Sequence, residues 1–396
     1  MQEILEEAKA LQQTIVNDRR WLHRHPELGF DLKETAAYVQ NRLEEMGYTV
    51  TEPCEGGLLT QIGDSTAGPC ILLRADMDAL PVDEETGLDF ASTNGNMHAC
   101  GHDTHAAMLL GVARILKNRE SELHGCVKLL FQPDEEGCAP VDTTGGDEIL
   151  AGGVLENPHV DAVAAVHIYT PDFAPGAIVT RPGTMYSSID DIDITITGRG
   201  AHGSTPQKGI DPINVACHIY QGVQNYIARE LDPTDVCVAT FGKIEAGRAA
   251  NVVPETAHML GTLRTQSEAV RDRFKERVTA MCEGIASAFG ATCDIQFLRG
   301  VPNTYNDPAL TDELAGYAEE LFGEPVVIMG KPFPGTDDLA ILSQHAPTTF
   351  FVLSAPVKGC ESYGMHNAKV MFDESMFYKG TALLANSAIE FLNHRA

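Results

Sequence analysis

The stretch His98-Ala99-Cys100-Gly101-His102-Asp103-Thr104-His105 carries three imidazoles, a thiol and a carboxylate just before an apolar segment, Ala106 to Leu116. The apolar segment has the spacing of a buried helix, so the polar side chains are expected at its beginning. Cys100 and His102 lie two positions apart, which in extended backbone puts both side chains on one face. A thiolate and an imidazole that converge there suit a borderline divalent ion. Asp103 is expected to cap the helix.

Three predicted strands are followed by polar side chains. These are Asp76 and Asp78 after the strand at 71–75, Glu135 and Glu136 after 126–132, and His167 after 160–166. Open α/β sheets bind their ligands at the carboxyl ends of strands, so a functional site is expected there. The adjacent Glu135 and Glu136 are expected to point in different directions, one to a metal and the other to a bound water.

The middle of the chain follows a different pattern. Between Ile189 and Leu298 the predicted elements come in the order β-α-β-β-α-β, which is the ferredoxin-like plan. On either side of this segment strands alternate with helices, which predicts an α/β fold with a mixed sheet flanked by helices. We therefore expect a catalytic domain built from residues 1–187 and 299–396, with an inserted α+β domain at 188–298.

The charge balance restricts the partners of the protein. With 28 basic and 56 acidic residues, the net charge is -28. Such a surface repels nucleic acid and anionic membranes, so neither is expected as a partner. No apolar run approaches the ~20 residues that span a bilayer. The acidic start and the irregularly spaced cysteines predict a cytoplasmic protein with free thiols.

Five side chains that can bind a metal lie near predicted strand ends or helix starts. They are Cys100, His102, Glu136, His167 and His366. Five ligands are too many for one tetrahedral ion and fit two divalent ions that share a bridging group. A set that contains a thiolate suits zinc, whereas carboxylates and imidazoles also accept manganese.

Six motifs in a fixed order carry a family resemblance. They are Asp76–Pro81 (DMDALP), Met97–His105 (MHACGHDTH), Gln132–Gly137 (QPDEEG), Gly198–Gly203 (GRGAHG), Asn251–Pro254 (NVVP) and Gly261–Arg264 (GTLR). Together they resemble the aminoacylase, hippurate hydrolase and indoleacetyl-amino-acid hydrolase family of dinuclear metallopeptidases. The resemblance covers almost the whole chain, including the inserted domain.

The resemblance implies a role for each matching residue. The five side chains named above would be the metal ligands, Glu135 the general base, and Asp78 an acidic residue that orients the site. His202 would reach the active site of a neighbouring subunit, which implies a homodimer and makes the inserted domain a dimerisation or lid domain. Asn251 and Arg264 match positions that hold the substrate's carboxylate.

The activity implied is hydrolysis of N-acyl amino acids, such as N-acetyl, aroyl or indoleacetyl conjugates, to a carboxylic acid and a free amino acid. A dipeptidase or an N-acyl-diaminopimelate deacylase on the same scaffold is the alternative. The residues alone also allow Cys100 and His102 to act as a thiol nucleophile and its base. They further allow a metal-binding or storage protein, in which Glu135 would be dispensable.

Two segments depart from the family pattern. The family usually has a Glu-Asp pair and an aromatic residue where this chain has Gly335-Thr336-Asp337-Asp338-Leu339. The loop from Cys138 to Asp147 also lacks the glycine-rich form expected there. The first departure predicts an altered pocket wall near the acyl group, and neither removes a predicted metal ligand.

Overall fold

The computed structural model describes residues 1–395. Its α-helices are α1 (Gln2–Arg24), α2 (Lys33–Glu45), α3 (His102–Asn118), α4 (Gly145–Ala151), α5 (Pro212–Arg229), α6 (Glu268–Ala288), α7 (Pro308–Phe322), α8 (Leu339–Ser343) and α9 (Phe377–Asn393). Its strands are β1 (Leu58–Gly63), β2 (Cys70–Asp76), β3 (Cys126–Gln132), β4 (Ala162–Tyr169), β5 (Ile178–Thr180), β6 (Gly183–Tyr186), β7 (Ile189–Thr197), β8 (Ala201–His202), β9 (Cys237–Ala246), β10 (Val252–Val253), β11 (Thr256–Thr265), β12 (Thr292–Val301), β13 (Thr304–Asn306), β14 (Val327–Ile328) and β15 (Thr348–Ser354). Among the helices of this range, none is both long and apolar enough to cross a membrane.

The chain divides into two compact units. The main unit comprises Met1–Met185, Tyr305–Lys331 and residues 338–395, and the inserted unit comprises Tyr186–Thr304 and Pro332–Asp337. Each unit has its own cluster of buried apolar side chains. The return of Pro332–Asp337 to the inserted unit has no signal in the sequence pattern.

The main unit is built on a seven-stranded mixed sheet with the order β1-β3-β2-β4-β15-β5-β14. Neighbouring strands from β3 to β15 run parallel, whereas β1 and β5 run antiparallel to their partners β3 and β15. Strands β2 and β3 are buried along their whole length, as expected when both faces of a parallel sheet are covered. The carboxyl ends of β2, β3 and β4 therefore lie side by side, and the residues that follow them are brought together.

Helix α3 packs against α1 and α9 and also contacts β2 and β4. Gly101 precedes it with φ of +82°, and a Cβ at this position would lie 2.4 Å from Cγ2 of Ile168. A residue other than glycine would meet both the left-handed backbone and this close approach. The absence of a side chain at Gly101 thus lets the start of α3 sit directly against β4.

The inserted unit has a four-stranded antiparallel sheet with the order β12-β7-β11-β9 and the two helices α5 and α6. The predicted β-α-β-β-α-β plan is confirmed. Its core contains alternate residues of β7 (Ile192, Ile194 and Ile196) together with residues of α6 such as Phe274 and Val278. A short ribbon formed by β8 and β10 carries His202, which pairs with Val252.

Most elements lie where the sequence pattern predicts them. Strand β3 has the predicted limits, at 126–132. One strand end differs, because β4 continues to Tyr169 and His167 lies within the strand. The parallel pairing of β4 with β15 also extends through this residue, which explains why the strand does not stop earlier.

Candidate active site

His102, the first residue of α3, lies at the centre of a buried acidic cluster. Its Nδ1 is 3.2 Å from Oδ1 of Asp78, and its Nε2 is 3.7 Å from Oε2 of Glu135 and 3.9 Å from Oε1 of Glu136. If Nδ1 donates its proton to Asp78, Nε2 presents a lone pair to the two glutamates. This Nε2 is buried and has no hydrogen-bond partner within residues 1–395, which is the geometry expected of a metal ligand.

Cys100 lies in the turn before α3 and contacts two further imidazoles. Its Sγ is 3.5 Å from Nε2 of His167 and 3.3 Å from Nε2 of His366. The other ring nitrogen of His167 lies 2.5 Å from the carbonyl oxygen of Ile168 and donates to it. The proton is therefore on Nδ1, and Nε2 of His167 faces the thiol with its lone pair.

Overlapping groups of side chains have the spacing of metal ligands. In each group the potential ligand atoms lie within 4.8 Å of one another: Cys100, His102 and His167; Cys100, Glu136 and His366; and His102, Glu135 and Glu136. The first two groups share Cys100, so one thiolate can serve two ions. Nε2 of His102 is buried without a hydrogen-bond partner in the described chain, and Oε1 of Glu136 lies 3.2 Å from Nε2 of His366, another potential ligand atom, so the residues fit a pair of divalent ions.

The site has an excess of negative charge. Burial and the carboxylates of Glu136 and Glu135 raise the pKa of the Cys100 thiol well above its usual value. Burial favours the neutral ring of His102, but the carboxylates of Asp76, Asp78 and Glu136 outweigh it and raise the pKa of this imidazole to about 10. A divalent cation would offset these carboxylates and stabilise the Cys100 thiolate.

Two residues of the site have left-handed backbone. Asp134, immediately before Glu135, has φ of +48°, and its Oδ1 accepts a hydrogen bond from the amide of Ala139 at 3.0 Å. His366 has φ of +63°, and its amide donates to the carbonyl of Ala99 at 2.9 Å. Such conformations are uncommon outside glycine and concentrate at functional turns. Here they set the directions of a predicted base and a predicted ligand.

Three local predictions are wrong. Asp103 does not cap α3, because Gly101 is the N-cap residue and Oδ2 of Asp103 instead contacts Nε of Arg19 at 2.7 Å and Nδ1 of His23 at 2.8 Å. The backbone at Cys100 is a turn and not extended, so the two-residue spacing is not what makes Cys100 and His102 converge. Glu135 and Glu136 both approach His102, so their side chains converge and do not point in different directions, while the assignment of one to a metal and the other to a bound water stays a prediction.

The structure places the remaining predicted residues in the inserted unit. His202 is exposed on β8, next to Asn251, whose carbonyl accepts from the amide of Gly203 at 2.7 Å. Arg264 is partly buried near the far end of β11, and its Nη1 donates to Oγ1 of Thr336 at 2.7 Å. Strand β11 runs about 25 Å from Thr256 to Arg264. His202 and Asn251 thus belong to one end of this strand and Arg264 to the other.

Sequence reasoning did not single out a buried network that adjoins the site. Arg74 donates to Asp76 at 2.6 Å, to Gln132 at 2.9 Å and to Asp338 at 3.0 Å. Asp338 also accepts a hydrogen bond from the amide of Gly146 at 2.6 Å. Although Asp338 belongs to the segment expected to form a pocket wall, it is buried and links β2, β3 and the first turn of α4. The buried arginine in β2 was the available signal, since such a charge needs a partner.

Comparison with known proteins identifies the family. Residues 72–390 match the sequence model of Peptidase family M20/M25/M40. The chain belongs to this family. Thermostable carboxypeptidase 1 of Saccharolobus solfataricus is 34% identical over 99% of this chain and 99% of its own length. N-acetyl-L-cysteine deacetylase of Bacillus subtilis is 34% identical over 97% of this chain and 89% of its own length.

A solved structure supports the assignment of this chain to family M20. A dinuclear metal-binding peptidase of family M20 from Bacillus subtilis has a TM-score of 0.82 and 33% identity, and the match covers 97% of this chain and 99% of that one. The resemblance drawn from the six motifs is thereby confirmed. As an M20 family member the protein is a metal-dependent amidohydrolase, which argues against both a thiol hydrolase and a storage protein.

Proposed function

We propose that this M20 family member hydrolyses the amide bond of N-acyl amino acids at a site with two divalent ions, zinc or manganese. The observation that carries the proposal is the position of Glu135, whose carboxylate lies 3.7 Å from Nε2 of His102 beside the overlapping groups of ligand atoms. In this proposal Cys100, His102, Glu136, His167 and His366 hold the ions. When bound, these ions lower the pKa of water and polarise the amide carbonyl.

The role of Glu135 follows from its position. Its carboxylate accepts a proton from the attacking water and passes it to the nitrogen of the leaving amino acid. Asp78 orients His102 and, by accepting from the amide of Glu136 at 3.0 Å, also fixes the acidic turn. Oxygen and nitrogen atoms that are held in advance in this way cost little reorganisation during the reaction.

Arg264 supplies the positive charge that an anionic substrate needs. Its recorded hydrogen bond goes to the neutral hydroxyl of Thr336, and burial lowers the pKa of its guanidinium. A substrate carboxylate would give this cation a charged partner. Asn251 lies at the His202 end of β11, so its proposed contribution to substrate recognition is to the site of the partner subunit. The names of the deacetylase and carboxypeptidase relatives also point to substrates with a carboxylate next to the amide.

His202 is proposed to complete the active site of a second subunit. Its Nδ1 accepts from the amide of Ser204 at 3.1 Å, which leaves the proton on Nε2 as a donor for the developing oxyanion. Because His202 and Arg264 belong to opposite ends of β11, the inserted unit presents two separate functional surfaces. One of them serves its own subunit and the other the partner, so the enzyme would be a homodimer.

The edge of the inserted sheet is the proposed dimer contact. Strand β9 is at this edge and exposes Val238 and Ile244, each to 51%. Ile213 and Tyr220 are similarly exposed on α5. An uncovered edge strand with apolar residues favours pairing with another chain. A symmetric dimer would cover this surface with the same surface of a second copy.

Peptide hydrolysis is the second candidate activity. The 34% identity to a carboxypeptidase favours it, because the amide to be cut would again lie next to a carboxylate. The N-acyl-diaminopimelate deacylase alternative has the same chemistry with a different acyl group and amino acid.

The compartment is proposed to be the cytoplasm, since all ten cysteines are free thiols and disulfides are rare where thiols are kept reduced.

One experiment tests the activity and the metal centre together. The purified enzyme is assayed for metal content per chain and for release of free amino acid from N-acyl amino acids and short peptides, before and after chelation. About two ions per chain, with activity that is lost on chelation and restored by zinc or manganese, is the expected result. Turnover that persists in the metal-free enzyme would contradict the proposal, and the preferred substrate decides between the two candidate activities.

A further inference from the structure

We propose that His105 and Asp76 are positioning residues that fix the orientation of His167 at the metal centre. The inference rests on the proposed metal site and adds to it residues with no ligand role. His105 is buried on α3, one turn after His102, and the rings of His105 and His167 are 4.5 Å apart in an edge-to-face arrangement. Such a contact restricts how the ring of His167 can turn.

Both ring nitrogens of His105 are occupied by hydrogen bonds. Its Nε2 accepts from the backbone amide of Ile168 at 2.8 Å, and its Nδ1 lies 2.5 Å from Oδ1 of Asp76. Because Nε2 accepts, the proton of the neutral ring is on Nδ1 and is donated to Asp76. His105 therefore has no lone pair to offer a metal, although it lies within a group of side chains that could hold one.

Ile168 connects His105 to His167. The amide of Ile168 donates to His105, while its carbonyl accepts the Nδ1 proton of His167 at 2.5 Å. The backbone that receives the His167 proton is thus itself held by an imidazole of α3. This arrangement keeps Nε2 of His167 directed at Sγ of Cys100, 3.5 Å away. Hydrogen bonds of this kind to a ligating imidazole fix its tautomer and its direction.

Asp76 is in turn held in place by a charge. Nη1 of Arg74 donates a hydrogen bond to Oδ2 of Asp76 at 2.6 Å, and both side chains are almost fully buried. This ion pair keeps the second oxygen of Asp76 available to His105 and fixes its direction. Removing one partner would leave the other charge buried without compensation, so the pair also resists rearrangement. The chain of contacts therefore runs from a buried arginine to a predicted metal ligand.

Two substitutions separate the contacts of His105. In His105→Gln the amide oxygen reaches the position of Nε2 and can still accept from Ile168. In His105→Asn the amide nitrogen takes the position of Nδ1 and can still donate to Asp76, but the acceptor for Ile168 is lost. The affinity of each metal-free variant for Zn²⁺ is measured by competition with a chromophoric chelator. The melting temperature of the metal-free protein is recorded in parallel.

We expect His105→Asn to lower the affinity for one of two zinc ions by about 10- to 100-fold. His105→Gln keeps the acceptor for Ile168 but loses the donor to Asp76, so its affinity should lie between those of His105→Asn and the wild type. His98→Asn is the matched control, because His98 is also buried and its ring nitrogens have no hydrogen-bond partner in the described chain. This control should change the melting temperature without changing the affinity for Zn²⁺.

Other results would overturn the inference. Equal affinities of both His105 variants and the wild type, with only the melting temperature lowered, would make His105 a structural core residue. A loss in His105→Gln as large as that in His105→Asn would remove the role of Ile168. A wild-type chain that binds no Zn²⁺ would instead contradict the proposed metal site itself.

A measurement on the wild-type protein covers the case in which a variant does not fold. ¹⁵N spectra of histidine-labelled, metal-free protein distinguish the two neutral tautomers of each ring. We expect His105 and His167 to carry their protons on Nδ1. If His105→Gln folds, the ¹⁵N signal that is missing from its spectrum belongs to His105. Rings protonated only on Nε2 would contradict the proposed chain of contacts, because neither Asp76 nor Ile168 could then accept as described.

Discussion

Oδ1 of Asp78 lies 3.2 Å from Nδ1 of His102, and the same carboxylate accepts a hydrogen bond from the amide of Glu136 through its second oxygen. One side chain thus orients two predicted metal ligands. Removing it in Asp78→Ala should weaken divalent-ion binding by about 10- to 100-fold, because both ligands lose their support. Asp78→Asn keeps an oxygen for one of the two contacts and should lie between this variant and the wild type.

The test is a zinc titration of metal-free protein for the two Asp78 variants and the wild type. The affinity for Zn²⁺ should be highest in the wild type, lower in Asp78→Asn and lowest in Asp78→Ala. An Ala variant that binds Zn²⁺ as tightly as the wild type would show that His102 and Glu136 do not depend on this carboxylate.

Glu135 and Glu136 are neighbours with different proposed roles, and their glutamine variants should separate these roles. Glu135→Gln keeps the shape of the side chain but cannot accept a proton, so turnover should fall by roughly 10²-fold or more with two ions still bound. Glu136→Gln weakens a ligand that lies 3.2 Å from Nε2 of His366, so its metal content should fall together with its activity. Metal analysis and turnover are measured on the same samples, and unchanged turnover in Glu135→Gln would reject its role as the base.

Much of the fold can be predicted because its signals are local. The largely apolar run of β3 and the alternation of β7 each identify a strand without knowledge of its neighbours. The predicted ligands are also recognisable, since Cys100 and His102 lie in one motif and Glu136 and His167 are near strand ends. The parallel arrangement of β2, β3 and β4 then brings these side chains together.

One wrong prediction and one missing prediction concern pairings between distant segments. Asp103 has the sequence position of a cap but pairs with Arg19 of α1, more than eighty residues away. The contact of His105 with Ile168 likewise depends on how α3 sits against β4. Neither pairing has a periodic pattern, because each depends on packing between elements and not on the conformation of one. Local propensity could not have distinguished these polar residues from capping or solvent-exposed ones.

Arg264 should control the affinity for substrates with a carboxylate. Arg264→Met removes the cation but keeps much of the apolar stem, so KM for an N-acyl amino acid should rise roughly 10- to 100-fold. Arg264→Lys keeps the charge without the bidentate geometry and should have an intermediate effect. The matching N-acyl amino acid amide, which has no carboxylate, is the control substrate. Its KM should hardly change, and a wild-type enzyme that does not distinguish acid from amide would contradict the role of Arg264.

The proposal that His202 completes the active site of a partner subunit predicts complementation between two inactive variants. In a hybrid dimer of His202→Ala with Glu135→Gln, one site has an intact Glu135 from its own chain and an intact His202 from the partner. Random exchange of subunits should therefore restore about one quarter of wild-type turnover, since half of the dimers are hybrids with one intact site. In the control, His202→Ala is mixed with the double variant Glu135→Gln/His202→Ala in place of Glu135→Gln. The double variant supplies neither Glu135 nor His202, so this mixture should recover no turnover. Absence of recovery in mixtures shown by mass to contain hybrids would contradict the proposed position of His202 in the partner's site.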